Sequence, residues 1–254
     1  MKSPALEASL EASLSQHRPG RLCGIGVGPG DPELITVKAL RRLQAAPIVA
    51  FPAGLRGEPG VAQSAISTWL QPHQQQLPLT FPYVQDEAIL KAAWKTAADQ
   101  VWQAMQNGDV VFASEGDISF YSTFTYLAQS LLQQHPEAQV EAVPGICSPL
   151  AAAAALGIPL TVRSQRLAVL PALYQMATLE AALAWAEAVV LLKVSSVYAQ
   201  VWSMLQQQQL LEHSYVVKHA TRPDQMIYAG LKDWPDLKLP YFSLLIIRVP
   251  HRRP

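Results

Sequence analysis

Gly24-Ile25-Gly26-Val27-Gly28-Pro29-Gly30-Asp31-Pro32-Glu33-Leu34 decides how this chain is read. A short apolar run, Leu22 to Val27, enters it as a buried strand. An amphipathic run leaves it, with Leu34, Val37, Leu40 and Leu43 at helical spacing. A strand that hands over to a helix through glycines suggests a nucleotide loop, yet the dinucleotide pattern Gly-x-Gly-x-x-Gly is not met. Counted from Gly24, the third glycine falls on Pro29; counted from Gly26, it falls on Asp31. An acid about 20 positions further on would hold a ribose, but that stretch reads Gln44-Ala45-Ala46-Pro47. What remains is a turn stiffened by Pro29 and Pro32 and loosened at Gly28 and Gly30. Such a turn brings bare backbone close to a neighbour. Asp31 stands where an N-cap or first-turn acid of the next helix belongs.

The same alternation continues outward. Ile48–Phe51, Val110–Ala113 and Val140–Val143 read as short strands. Asp86–Asn107, Thr123–Gln134 and Ser148–Leu156 read as helices between and after them. Gly157-Ile158-Pro159 changes the pace, and a domain boundary is expected near residues 157–165. Beyond it, Arg166–Leu170, Ala188–Leu192, Tyr215–Val217 and Phe242–Val249 read as strands, and Thr178–Glu187 and Ser196–Gln209 as helices. The expectation is a frayed tail over residues 1–20, an α/β domain over 21–157 and a second α/β domain over 158–254. The tracts Gln74-Gln75-Gln76 and Gln206-Gln207-Gln208-Gln209 read as solvated surface.

Composition narrows the function classes. The chain has 254 residues, half of them hydrophobic, enough for a large core. Its 19 basic and 19 acidic residues cancel, which argues against a surface that tracks nucleic-acid phosphates. No apolar run is long enough to span a membrane, and the first residues carry no secretory h-region. Cys23 and Cys147 are the only cysteines, and with six scattered histidines they make no metal spacing. Two cysteines make no disulfide framework, so a reducing cytoplasm is the expected compartment. No catalytic triad, carboxylate pair or metal cluster stands out.

In an open parallel sheet, ligands bind outside the carboxyl ends of the strands. Two later loops at such ends share the character of the first. Ser114-Glu115-Gly116-Asp117-Ile118-Ser119-Phe120-Tyr121-Ser122-Thr123 is dense in glycine, hydroxyls and acid, and leads into a helix. Pro144-Gly145-Ile146-Cys147-Ser148-Pro149 does the same. Each alone fits an ordinary turn; together they favour one small-molecule site.

These pieces carry a resemblance. Gly28-Pro29-Gly30-Asp31-Pro32-Glu33-Leu34, Glu115-Gly116-Asp117 and Pro144-Gly145-Ile146, in this order, resemble the tetrapyrrole (corrin/porphyrin) methylase family. Ser119–Leu127 and Arg166–Ala172 are similar to its precorrin-2 and cobalt-precorrin-2 C20-methyltransferase branch. The resemblance runs from about Arg21 to Val249. It implies two α/β domains with the active site in the cleft between them, a homodimer, S-adenosylmethionine as methyl donor and a tetrapyrrole as acceptor. By position it implies that Pro29 borders the site and that Glu115, Gly116 and Asp117 meet the methionine part and ribose. Phe120 packs nearby, Cys147 and Ser148 follow the adenosine, and Lys193, Ala220 and Thr221 lie by the adenine. Two residues depart from the family: Ile118 stands where proline is usual, and Cys147 where serine or threonine is. Relatives that act on uroporphyrinogen tend to carry an acid after the second strand; this chain has Phe51-Pro52-Ala53.

The acceptor carries several carboxylates, so cations should face it. Arg56, Arg163, Arg166, Lys218 and Arg222 lie at expected loops or strand ends, and Tyr121 with Phe120 and Phe124 offers an aromatic wall. The bland readings are solvated surface for the cations and core for the rings. Two other functions share these features: the same fold with another acceptor (a different precorrin, a diphthine precursor or a ribosomal-RNA ribose), and a silent module that binds cofactor or tetrapyrrole without turnover.

Overall fold

Five short runs of the first half lie side by side and all parallel. They are β1 (Leu22–Gly26), β2 (Ile48–Pro52), β3 (Gln75–Leu79), β4 (Val110–Ser114) and β5 (Val140–Val143), in the order β3-β2-β4-β1-β5. The structure is a computed structural model that describes residues 18–54, 58–82, 84, 86–173 and 175–250. A parallel sheet is covered on both faces, which is why β1 is buried along its whole length. Leu22, Ile48, Val110 and Phe112 meet α3 (Glu87–Met105) and α4 (Phe124–Gln134) on one face. Cys23, Ile25, Val49 and Val111 meet α1 (Val37–Ala45) and α2 (Val61–Ile66) on the other. Burial pushes the Cys23 thiol up to about 11, so it is a packing group rather than a nucleophile.

The second half builds a mixed sheet from β6 (Leu167–Leu170), β7 (Ala188–Leu192), β8 (Ser214–Lys218), β9 (Met226–Ala229) and β10 (Ser243–Arg248). Their order is β6-β7-β10-β8-β9; β6 and β7 are parallel, and β10 runs antiparallel to β7 and β8. Val189, Leu191, Val216, Leu245 and Ile247 pack with α6 (Met176–Trp185) and α7 (Tyr198–Gln207). Val190, Val217, Leu244 and Ile246 pack with Ala152 and Ala153 of α5 (Ser148–Ala155).

The chain divides into two compact units, one running to Gly145 and the other starting at Ile146, with Pro29–Asp31 grouped in the second. The division therefore falls ahead of the expected boundary at 157–165. The reason is α5: its small alanines close on the second sheet, so the helix travels with that unit. Residues 1–17 of the expected tail lie outside the described residues. Gly20 is held, since its N–H donates to the Met105 carbonyl at 2.7 Å.

Three local readings change. The helix after the opening loop starts at Val37, not Leu34, because Thr36 is its N-cap and accepts from the Ala39 N–H at 3.2 Å. Asp31 is not that cap. The first glutamine tract is not plain surface: Gln74 is buried, its amide donates to the carbonyls of Leu43 and Ala46 at 2.6 and 2.7 Å, and β3 starts beside it.

Ser243, at the start of β10, is 3 % exposed, and its hydroxyl has no partner among the described residues. A buried hydroxyl without a partner costs about 1–3 kcal/mol. Ser243→Ala is therefore expected to leave the melting temperature unchanged or raise it, as read by thermal unfolding followed by circular dichroism.

Candidate active site

β4, β1 and β5 are neighbours, so the three glycine loops leave the first sheet side by side. The ladder does not stop at the strand ends. Gly28 donates to the Gly116 carbonyl at 3.1 Å, and Gly116 donates back to that of Gly28 at 2.8 Å. Both need a positive φ, 79° and 70°, which glycine adopts without strain. The third loop closes even tighter. A Cβ on Gly145 would stand 2.4 Å from the Gly116 oxygen and 2.6 Å from the Gly26 carbonyl carbon. Gly26, Gly116 and Gly145 thus meet backbone to backbone.

Asp117 ties this meeting together. Its Oδ2 accepts the Gly145 N–H at 2.8 Å, and its Oδ1 accepts the Ser119 N–H at 2.9 Å and the Ser119 hydroxyl. Burial pushes its pKa up, but the hydrogen bonds from Ser119 and Gly145 outweigh this and hold the carboxyl below its ordinary value. Ile118, the departure from the family's proline, is 2 % exposed and sits in the core against α3 and α4. Burial there anchors the loop in place of a proline ring. Ser114 and Ser122, both buried, share a hydrogen bond of 2.8 Å across the loop, and the Ser122 oxygen accepts the Phe124 N–H at 3.2 Å. Phe124 is core and Tyr121 is 56 % exposed, so the expected aromatic wall is split. Phe120 packs edge-on to Tyr121, with ring centres 4.7 Å apart.

Glu115 is half-buried beside Gly116. In the first unit, the loops over residues 115–123 and 144–145 carry Glu115 and Asp117 and not one lysine or arginine. A phosphate would want cations here. Negative charge on these loops suits a ligand that is itself cationic.

In the second unit, Lys193 follows β7, His219 to Thr221 follow β8, and Tyr241 and Phe242 precede β10. The strand registers bring these positions to one edge of the sheet. Lys193, His219 and Thr221 all have left-handed backbone, at φ 54°, 50° and 65°. Such conformations are uncommon outside glycine and concentrate at functional sites. The Lys193 ammonium lies over the Tyr241 ring, 5.3 Å from its centre. The Pro29–Asp31 tip belongs to this unit as well: the Asp31 N–H donates to Thr221 Oγ1 at 3.2 Å, and Gly30 lies against the Arg222 side chain. Ala220 is buried at the same loop, and the Thr221 N–H donates to Gln225 Oε1 at 2.7 Å. Cys147 stands at the N-cap of α5 without a side-chain capping bond, and Ser148 is the helix's first residue.

The cation candidates separate. Lys218 and Arg222 lie at the edge just described; the Lys218 ammonium reaches Met226 Sδ at 3.8 Å, and Arg222 Nε is 3.5 Å from Asp224. Arg166 precedes β6 and so sits at the opposite edge of the sheet. There it clasps Glu187 at 2.8 and 3.3 Å and lies over the Trp185 ring. That bond holds the Glu187 carboxyl down at about 2. Arg163 is on the approach to the same far edge, in the turn where Gln165 Oε1 accepts from Val162 and Arg248. Neither joins the cluster. Arg56 lies outside the described residues. Among the described residues, no His, Cys, Asp or Glu cluster could hold a metal, and no helix is long and apolar enough to cross a membrane. Two pairings escaped sequence reading, Ser114 with Ser122 and His219 with Asp224, whose spacings of eight and five residues have no periodic signature.

A parallel sheet whose central loops fuse at glycines, followed by a mixed five-stranded sheet, is the architecture of a methylase class. The chain belongs to the family Tetrapyrrole (Corrin/Porphyrin) Methylases, which it matches over residues 21–233. It is 33% identical over 230 residues to a cobalt-precorrin-2 C(20)-methyltransferase of Salmonella typhimurium, covering 90% of this chain and 96% of that one. It is 32% identical over 237 residues to a precorrin-2 C(20)-methyltransferase of Sinorhizobium sp, covering 90% and 95%. In fold it is similar to a uroporphyrin-III C-methyl transferase from Thermus thermophilus solved with S-adenyl homocysteine. The TM-score is 0.62 at 23% identity, covering 90% of this chain and 97% of that one.

Proposed function

We propose that this chain transfers the methyl group of S-adenosylmethionine to carbon 20 of precorrin-2 or cobalt-precorrin-2, in cobalamin biosynthesis. The observation that carries the reading is the fused meeting of Gly26, Gly116 and Gly145, tied by Asp117 and with Glu115 beside it. There the backbones pack so closely that a Cβ on Gly26 or Gly145 would collide with them. The acids beside it, Glu115 and Asp117, bring negative charge, which fits a sulfonium and an ammonium and does not fit a phosphate. The curated relatives named for this reaction, each matched along nearly its whole length, support the choice of acceptor.

S-adenosylmethionine supplies a methyl group on a positively charged sulfur, already activated for transfer. The protein therefore has to align the partners and exclude water, and strong acid/base chemistry is not required for the transfer itself. Glu115 and Gly116 are the proposed contacts of the methionine part and ribose, with Asp117 holding their loop in shape and Pro29 and Phe120 bordering it. Cys147, Ser148, Lys193, Ala220 and Thr221 are the proposed contacts of the adenosine. Lys218 and Arg222 remain for the ring carboxylates, and Tyr121 presents an exposed aromatic face. The working form in this proposal is a cytoplasmic homodimer.

The test is a calorimetric titration with S-adenosylmethionine, then a methyl-transfer assay on precorrin-2 with and without cobalt. Expected is tight cofactor binding and a single methyl group on carbon 20 of at least one ring. Binding without transfer to either ring would sink the reading and leave the silent module.

A further inference from the structure

Methyl transfer to carbon 20 leaves one proton to be accounted for. The ring supplies the electron pair of the new carbon–carbon bond, and the sulfur keeps the pair of the bond that breaks. The ring regains its own pair only when carbon 20 loses its hydrogen as a proton. A group of this chain must take it or pass it to water.

We propose that His219, oriented by Asp224, accepts this proton. The inference rests on the methyl-transfer reading above. Four observations lead to it. Nδ1 of His219 lies 2.5 Å from Asp224 Oδ2, which orients the ring; with the proton on Nδ1, Nε2 is the acceptor. The imidazole is held at a left-handed backbone position directly after β8, at φ 50°, with 14% of its side chain exposed. Its loop is braced: the His219 N–H donates to the Phe242 carbonyl at 2.9 Å, and the neighbouring Thr221 and Arg222 meet the Asp31 and Gly30 of the opening loop. Placement then selects it. His73 precedes β3, His135 precedes β5 and His213 precedes β8, all at the amino ends of strands. Among the described residues, His219 is the one histidine at a strand's carboxyl end, beside Ala220 and Thr221. The pair acts as acceptor and positioner: Asp224 keeps the proton on Nδ1 and steadies the imidazolium that forms.

The test uses His219→Gly, which suits the positive φ and leaves room for added imidazole, with His219→Asn as a second variant and Asp224→Asn for the positioner. Cofactor affinity and melting temperature are measured first, then single-turnover formation of the deprotonated, methylated ring from precorrin-2 carrying hydrogen or deuterium at carbon 20. A positioned base contributes about 10²–10⁴-fold. Both His219 variants are expected to lose about a hundredfold in rate or more, with cofactor affinity unchanged. Deuterium should slow them several-fold, and imidazole should restore the glycine variant. Nitrogen-15 spectra of the ligand-free protein should show the proton on Nδ1 of His219 and its loss from that site in Asp224→Asn. Unaltered variant rates, an effect confined to KM, or a proton found on Nε2 in the ligand-free wild type overturns the proposal alone. A wild-type chain that methylates neither ring overturns the methyl-transfer reading and this inference with it.

Discussion

Gly145→Ala is expected to abolish measurable binding of S-adenosylmethionine and to lower stability by about 3 kcal/mol or more. The added Cβ would fall 2.4 Å from the Gly116 oxygen and 2.6 Å from the Gly26 carbonyl carbon. Both are backbone atoms of loops already bonded to each other, so neither can swing aside as a flexible side chain would. The third loop would have to lift, and the Gly145 N–H would leave Asp117. Calorimetric titration and urea unfolding on the same samples check both halves of the expectation. Near-native binding would mean that the close approach is not what shapes the site.

Asp117→Asn comes next in size. The carboxylate accepts from the Gly145 N–H and twice from Ser119, so an amide would set its own NH2 against a donor. We expect a loss of stability of about 1–2 kcal/mol and at least a tenfold loss of cofactor affinity, with the fold retained. A pH signature accompanies it. The folded pKa of Asp117 is depressed, so its contribution to stability is complete above the ordinary value of 3.8 and is lost as the pH falls through the lower folded value. Urea midpoints of wild type and variant should therefore differ most near neutrality and converge in strong acid. A difference that does not shrink in acid would mean the carboxylate's charge is not what holds the loop.

The central strands and their loops were legible in the sequence because buried parallel strands read as continuous apolar runs, and because three such ends carry glycine loops of one character. β3 was not, since it is an edge strand whose first two residues, Gln75 and Gln76, are exposed. The allegiance of α5 was hidden for another reason. Alanines line it on every side, so it has no apolar stripe to show which sheet it covers. Arg166 looked like a ligand group because it adjoins a strand; which end of the sheet that strand began at depends on pairing, which spacing does not report. The His219–Asp224 pair depends on a left-handed turn that no residue type announces.

The reciprocal bonds of Gly28 and Gly116 carry the sheet's order past its strands into the residues that would meet a ligand. These segments count as loops by shape but not by freedom. A flexible cradle would lose conformational entropy on closing over its ligand, about 1–2 kcal/mol for each residue it had to fix. This one is preorganised by folding, so little of a ligand's intrinsic affinity is consumed in ordering the protein, and more remains for holding donor and acceptor in register.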